Sequence, residues 1–423
     1  MSHHPATLLT AAPEWTAPLT AEPKQPLRLR PVLGGTFRAN PGYELLPWDS
    51  LPAERRDLFG ELKNDSELFG VLQPREGFNL PVKSACRETG LLFSSLREAG
   101  KLPEFVTAGA TPGAAQAEVN RAIAQLVLDG VMQISSGGEM VHGMRAFATV
   151  CEPSGPGSAT TRIAQLSHEA LLYAQALPFR DAMLLSSRLY AWGRIPASPS
   201  WKKKFPCEDA LQRCLEVHQG GSNTLRLARH WQGVPPDPEN DGWMFWQSTK
   251  PVASGPRAAY KLYLSPHPTH LRDAFEAMIP ALERSGANAF KIGKDLSGVL
   301  RPDKMIAYFS RFEQVEEAAR RILTTLEGCP AHGVPFTAQL DSPLLSWGAD
   351  PPAERDVPAW LTRQSWRLWV TNRLAVALVA AKEQLQRDSD SAIGIEPWKF
   401  AMDRLAMEGV DTDTWSPLRK DGN

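Results

Sequence analysis

The chain of 423 residues holds five cysteines, and no two of them form a CxxC pair. Cys86, Cys151, Cys207, Cys214 and Cys329 follow no regular spacing, so they read as free thiols in a reducing compartment, not as a disulfide framework. Excess charge of one sign is missing too, with 46 Lys and Arg against 47 Asp and Glu. That balance excludes a protein that coats nucleic acid or anionic membrane by bulk charge. Long apolar runs are absent: Leu374 to Ala381 is the longest, far below the ~20 residues that span a bilayer. The start, Met-Ser-His-His-Pro, lacks the basic and apolar parts of a signal peptide. A cytoplasmic chain with no membrane or nucleic-acid partner is therefore expected. GxxxxGK[ST], GxSxG and HExxH are all absent, which removes the common signatures of phosphate-loop, serine-hydrolase and zinc chemistry. Cys207, Cys214 and His218 have spacings that suit one helix face, but no fourth ligand completes a metal site. No metal and no cofactor is expected.

What the chain has is an ordinary globular composition, 43% hydrophobic and 22% charged, with 13 Trp and 36 Pro. The length fits about two or three domains, and the prolines predict short elements between well-marked loops. Residues 1–30 carry five prolines and little apolar periodicity, and read as a flexible tail. In region 31–150, Thr111-Pro112 supplies an N-cap and an N1 proline. Val119, Ile123, Leu126 and Val127 then mark one helix face. Two alternating runs about Ser135-Ser136-Gly137-Gly138 follow as a hairpin. Helix and hairpin together predict a winged-helix-like unit, although its helix has too few basic residues to read DNA. A Gly/Pro/Ser linker leads to a helical region at 162–250, with Ser167 as the cap of its first helix.

From 255 to 423 the texture changes. Tyr260–Leu264, Ala287–Ile292, Met305–Phe309 and Val334–Gln339 read as strands, and 270–284 and 314–326 as helices between them. The expected fold is α+β: a mostly helical N-terminal region, then a mixed α/β sheet layer covered by helices. The long apolar helix at 361–384 is expected to cover one face of that sheet.

Charge is uneven within this region. Residues 255–304 hold eight basic side chains against five acids. Lys261 in Tyr-Lys-Leu-Tyr-Leu and Lys291 in Phe-Lys-Ile interrupt apolar strands, where a buried lysine needs an anionic partner. Arg301-Pro-Asp-Lys304 immediately precedes the strand that carries Tyr308. Convergence of these cations would make a site for an anionic group such as a phosphate. In the alternative arrangement, Lys261 and Lys291 lie on the solvent side of the sheet, with Asp295 and Asp303 as surface partners. His267 and His270 fit a loop and helix cap, with His270 a candidate acid.

The stretch Tyr260-Lys261-Leu262-Tyr263, Phe290-Lys291, Arg301-Pro302-Asp303-Lys304 and Tyr308 resembles the HopA-type effector family. That family includes lyase-like proteins of class V lanthipeptide and related ribosomal-peptide clusters. Ser187-Arg-Leu-Tyr190 and Gly242-Trp243-Met-Phe-Trp246 are also similar to it, so the resemblance spans about residues 165–350. It implies elimination of phosphate from phosphoserine or phosphothreonine in a precursor peptide, leaving a dehydroamino acid, with a kinase as partner. It also implies Lys291 as base, with Lys261, Lys294, Arg301 and Lys304 holding phosphate. Tyr263 or Tyr308 would donate a proton or position the peptide, and Asp303 would orient Arg301 or Lys304. The chain departs from phosphothreonine lyases at Tyr263, where a Lys-x-His pattern would place histidine. A non-catalytic peptide-binding scaffold of the same fold is the rival reading. A third is another peptide-modifying enzyme, in which the hairpin recognises a leader peptide by strand addition.

Overall fold

The computed structural model describes residues 4–5, 27–57, 68–78, 80–107, 113–152, 160–235, 241–250, 260–351, 365–387 and 394–417. Helices and sheets are both present, as an α+β chain requires. The expected tail, residues 1–30, lies largely outside the described residues, and so does the Thr111-Pro112 cap.

In the N-terminal part, strand β1 (Phe37–Ala39) precedes helix α1 (Ala114–Leu128) and the hairpin β2 (Met132–Ser136) and β3 (Glu139–Val141). Gly137 and Gly138 both have positive φ at the hairpin tip, a conformation that glycine adopts without a Cβ penalty. β1 pairs with the outer side of β2, which makes a three-stranded sheet.

Helix α2 (Arg162–Ala176) begins six residues earlier than Ser167 would place it. Its cap is Thr161, whose hydroxyl accepts from Ala164 N at 3.2 Å. Ser167 lies inside the helix, fully buried, and receives a hydrogen bond from Phe336 N at 2.8 Å. Helix α3 (Ala182–Tyr190) is capped by Asp181, which accepts from Met183 N and Leu184 N. The stretch at 162–250 is not helical throughout: β4 (Trp231–Val234) and β5 (Trp243–Ser248) belong to the large sheet. Trp243-Met-Phe-Trp246 is apolar throughout and follows a Pro- and Asp-rich stretch, so no polar–apolar alternation marks it as a strand.

The remaining strands of the large sheet are β6 (Tyr260–Leu264), β7 (Ala289–Gly293), β8 (Met305–Phe309), β9 (Ala338–Gln339) and β10 (Leu345–Ala349). Their spatial order is β9-β10-β6-β8-β7-β5-β4, with every pairing antiparallel. β8 enters between β6 and β7, so the two β–α steps read from sequence form a split unit. Helix α4 (Leu271–Ser285) follows β6, and α5 (Phe312–Thr325) follows β8. Side chains alternate across a strand. Leu262, Phe290, Ile292, Met305, Ala307, Phe309 and Trp347 accordingly pack with α4 and α5 in one apolar core. The opposite face is left for other residues.

Helix α6 (Trp366–Arg387) does not lie over the sheet as expected. It packs along α3 and the terminal helix α7 (Pro397–Met407), in a second core shared with α1 and the hairpin. A helix apolar around much of its girth is buried on several sides, and helices offer that more readily than one sheet face. Gln384, at its far end, accepts from Met144 N at 2.7 Å and donates to His142 O at 2.9 Å. Its first turn alone reaches the sheet. There Trp366, fully buried, rests on Gly348 and donates to Phe336 O at 3.0 Å. Phe336 itself has a left-handed φ of 63°, a strained position for a non-glycine residue that these bonds hold in place.

A Cβ on Gly348 would lie 2.6 Å from the Trp366 ring. Gly348→Ala is therefore expected to destabilise the chain by about 1–3 kcal/mol through overpacking. Urea unfolding checks this, and an unchanged midpoint would show that Trp366 is free to shift.

Candidate active site

The second face of the large sheet is built by register. Gly348, Lys261, Tyr308 and Ala289 form one cross-strand row, and Ser346, Tyr263, Ile306, Lys291 and Phe245 the next. Lys261, Lys291, Tyr263 and Tyr308 thus share a face because strand spacing puts odd and even residues on opposite sides. Lys261 is 8% exposed and Lys291 half-buried, so the alternative of an open solvent face does not hold. Neither Asp295 nor Asp303 meets them at the surface. Asp295 caps the short turn at 296–299 through Gly298 N at 2.7 Å.

Arg301 enters from the loop before β8. Its guanidinium grips Asp303 with two hydrogen bonds, at 2.5 and 2.9 Å. Asp303 also receives Tyr190 Oη at 3.1 Å and lies 2.8 Å from Arg367 Nη1. Arg367, 1% exposed, donates onward to Pro335 O at 3.1 Å and Tyr190 O at 2.9 Å, with its guanidinium carbon 4.4 Å from the Tyr190 ring centre. A buried carboxylate is thereby held by two arginines and a phenol.

The lysines converge through aromatic rings. Lys291 Nζ lies 4.3 Å from the Trp243 ring centre and 5.8 Å from that of Tyr308. Lys261 Nζ lies 5.7 Å from the same Tyr308 ring and is ion-paired with Asp350. Arg301 sits 4.7 Å from the Trp243 ring. Lys291 differs from the other two cations in having neither a hydrogen bond nor an ion pair among the described residues. The hydroxyls of Tyr263 and Tyr308 likewise have no hydrogen-bond partner among the described residues. Ile306 and Val334 pack with Tyr263 as a small apolar floor beside them.

Two of the anticipated phosphate ligands stand elsewhere. Lys294 directly follows β7, where it pairs with Asp241 at 2.7 Å. Lys304 is fully buried, donating to Pro266 O at 3.0 Å and to His332 Nδ1 at 2.8 Å. His332 Nε2 in turn donates to Gly193 O at 2.5 Å, which fixes the neutral tautomer. His270 remains at the surface with Thr269 and His267, away from the cluster. Cys207 and Cys214 are free thiols, and no group of three metal-ligating side chains occurs among the described residues.

No protein-family model matches the chain, and no curated protein matches its sequence. Solved structures do. An effector protein from Pseudomonas syringae pv. tomato strain DC3000 is 14% identical, covering 62% of this chain and 99% of its own, with a TM-score of 0.37. The phosphothreonine lyase OspF from Shigella flexneri is 15% identical, covering 30% of this chain and 75% of its own, with a TM-score of 0.26. The phosphothreonine lyase SpvC from Salmonella is 13% identical over 50% of this chain and 98% of its own, at 0.25.

Burial governs the protonation of the cluster. Lys291 is pushed down to about 8, first by burial and then by Lys261 and Arg301. Burial alone would raise the Asp303 carboxyl, but Arg367 and Arg301 outweigh it and hold it well below the usual range. Burial lifts the phenols of Tyr263, Tyr308 and Tyr190, so all three stay protonated. It also lowers Lys304 to about 7 and His332 to about 4, the latter with help from Lys304.

Tyr190 and Trp243 appear in the sequence only within short matching motifs, and Arg367, Asp350 and His332 carry no motif at all. Arg367 had one readable signal: it lies on the stripe of Val370, Thr371, Leu374 and Leu378, where an arginine must find a buried acid. Lys304 yields a prediction about pH. Its folded value of about 7 lies below the ordinary 10.5, so the unfolded chain holds more protons between these limits. Stability then rises with pH across that window, by at most about 1.4 kcal/mol per unit for one group. The stability difference between the native chain and Lys304→Met should grow in favour of the native chain from pH 7 to 10. A difference independent of pH would show that Lys304 is charged in the folded state.

Proposed function

We propose that the chain is a phosphoserine/phosphothreonine lyase that acts on a peptide. The observation that carries this reading is the Lys291 amine, unpaired among the described residues and half-buried between Lys261 and Arg301. A lysine with a value near 8 is poised as a general base, because neutral amine is available close to neutral pH. Lys261 and Arg301, ion-paired with Asp350 and Asp303, would hold the phosphate dianion.

In the proposed step, Lys291 removes the Cα proton of the phosphorylated residue. The released electron pair forms the Cα=Cβ bond, the Cβ–O bond breaks, and phosphate leaves with its bonding pair. Tyr263 or Tyr308, both protonated and with free hydroxyls among the described residues, would donate a proton to the departing oxygen or position the peptide. No metal or cofactor enters the balance. It is the activity named for OspF and SpvC. The substrate we infer is a phosphorylated precursor peptide in ribosomal-peptide maturation, supplied by a kinase in the cytoplasm. The helix and hairpin at 114–141 would serve as a winged-helix-like module that binds peptide by strand addition.

Incubation with phosphoserine and phosphothreonine peptides should leave products lighter by one phosphoric acid, read by mass spectrometry. Simple dephosphorylation would leave water added. The rate should rise with pH through about 8 as Lys291 loses its proton, and Lys291→Met should lower it about 10²–10⁴-fold. Unchanged masses across a broad peptide set, together with unchanged phosphopeptide binding in Lys291→Met, would remove the enzyme and leave the scaffold.

A further inference from the structure

Trp243 opens β5, directly opposite Gly293 of β7. Gly293 has no side chain and no room for one: a Cβ there would lie 2.4 Å from the Gly298 backbone. The position across from the indole is therefore empty of any side chain, and Lys291 is the next residue of β7 on the same face. The ring centre comes within 4.3 Å of Lys291 Nζ and 4.7 Å of the Arg301 guanidinium carbon. One indole thus touches both the amine and a neighbouring cation that repels it.

We propose that Trp243 is a positioning residue that shields the Lys291 amine from water and so favours its neutral, proton-accepting form. The significance of that form for catalysis rests on the lyase reading, whereas the shielding itself does not. Two effects of the ring oppose each other. Cation–π attraction favours the charged amine by about 0.5–2 kcal/mol, and exclusion of water disfavours it by up to about 3–5 pKa units at full burial. Burial is the largest influence on Lys291, ahead of repulsion by Lys261 and Arg301 and of attraction by Asp303 and Asp350. The phenol of Tyr308, protonated, faces it from β8. On this proposal water exclusion by the ring outweighs its attraction for the cation, and opening the cover should return the amine toward its ordinary charge.

The test titrates Lys291 directly in the full chain, by the carbon-13 shift of labelled lysine side chains, with its resonance identified by loss in Lys291→Met. In Trp243→Ala the midpoint should rise by about one unit, and in Trp243→Phe it should stay within a few tenths. Trp243→Thr, which suits a strand, replaces the alanine variant if that chain does not fold. The pH–rate profile for elimination from a phosphopeptide should move by the same amount. A midpoint that falls or stays fixed on opening the site overturns the proposal, since cation–π attraction would then dominate or the ring would not matter. A raised midpoint with no elimination by any form sinks the lyase reading and leaves the shielding intact. Elimination with a fixed midpoint does the reverse.

Discussion

A single carboxylate, Asp303, organises the cluster. It is 1% exposed, and a charged group buried so deeply is tolerable only when its acceptor sites are filled. Arg301 and Tyr190 fill them with hydrogen bonds and Arg367 adds an ion pair, and the three come from separate parts of the chain: the loop before β8, the end of α3 and the first turn of α6. The demand for partners at one buried atom group therefore joins the sheet to the helical core. Once Asp303 is satisfied, Arg301 is oriented toward Trp243 and Lys291. Asp350 does the same for Lys261 from the end of β10. Asp303 and Asp350 are thus spent on Arg301, Arg367 and Lys261, and among the described residues Lys291 has neither.

The sheet divides its labour by parity. One face is an apolar core closed by α4 and α5, and its residues need only fit. The other carries lysines, tyrosines and tryptophan, and its order depends on rings set between like charges. Rings are suited to this because they displace water and still attract cations by their faces. The apolar floor of Tyr263, Ile306 and Val334 adds apolar surface to the face without adding charge. Lys304 and neutral His332 tie together the segments around residues 193, 266 and 332 by hydrogen bonds.

Much of this was legible from residue order. Met305–Phe309 is a strand with the limits its alternation suggests, and the α1–hairpin unit lies where its periodicity and Gly137-Gly138 put it. Lys261, Lys291 and Tyr308 share a face because each is at a strand position of fixed parity. The misreadings have physical causes. Trp243–Ser248 is short and follows a Pro- and Asp-rich loop, so its strand character was hidden beneath its aromatic content. Ser167 has the chemistry of a cap, yet a hydroxyl can equally serve a distant backbone amide, as it does for Phe336. Lys304 and Lys294 share the charge of Lys261 and Lys291, and charge carries no information about which side of a loop a side chain takes.

The sequence by itself determined that Lys261, Lys291 and Tyr308 lie in strands at positions of fixed parity, since side-chain period is a property of neighbouring residues. It also determined that no metal motif, phosphate loop or membrane-length apolar run stands among them. Tertiary structure alone decided how those charges are paired. Asp303 meets Arg367 across 64 positions and Tyr190 across 113, and Lys261 meets Asp350 across 89. Ion pairs at such separations depend on the order in which strands are assembled and on where one helix begins. They also decide which lysine is left free, because an amine loses its proton readily when burial removes water and no acid replaces it.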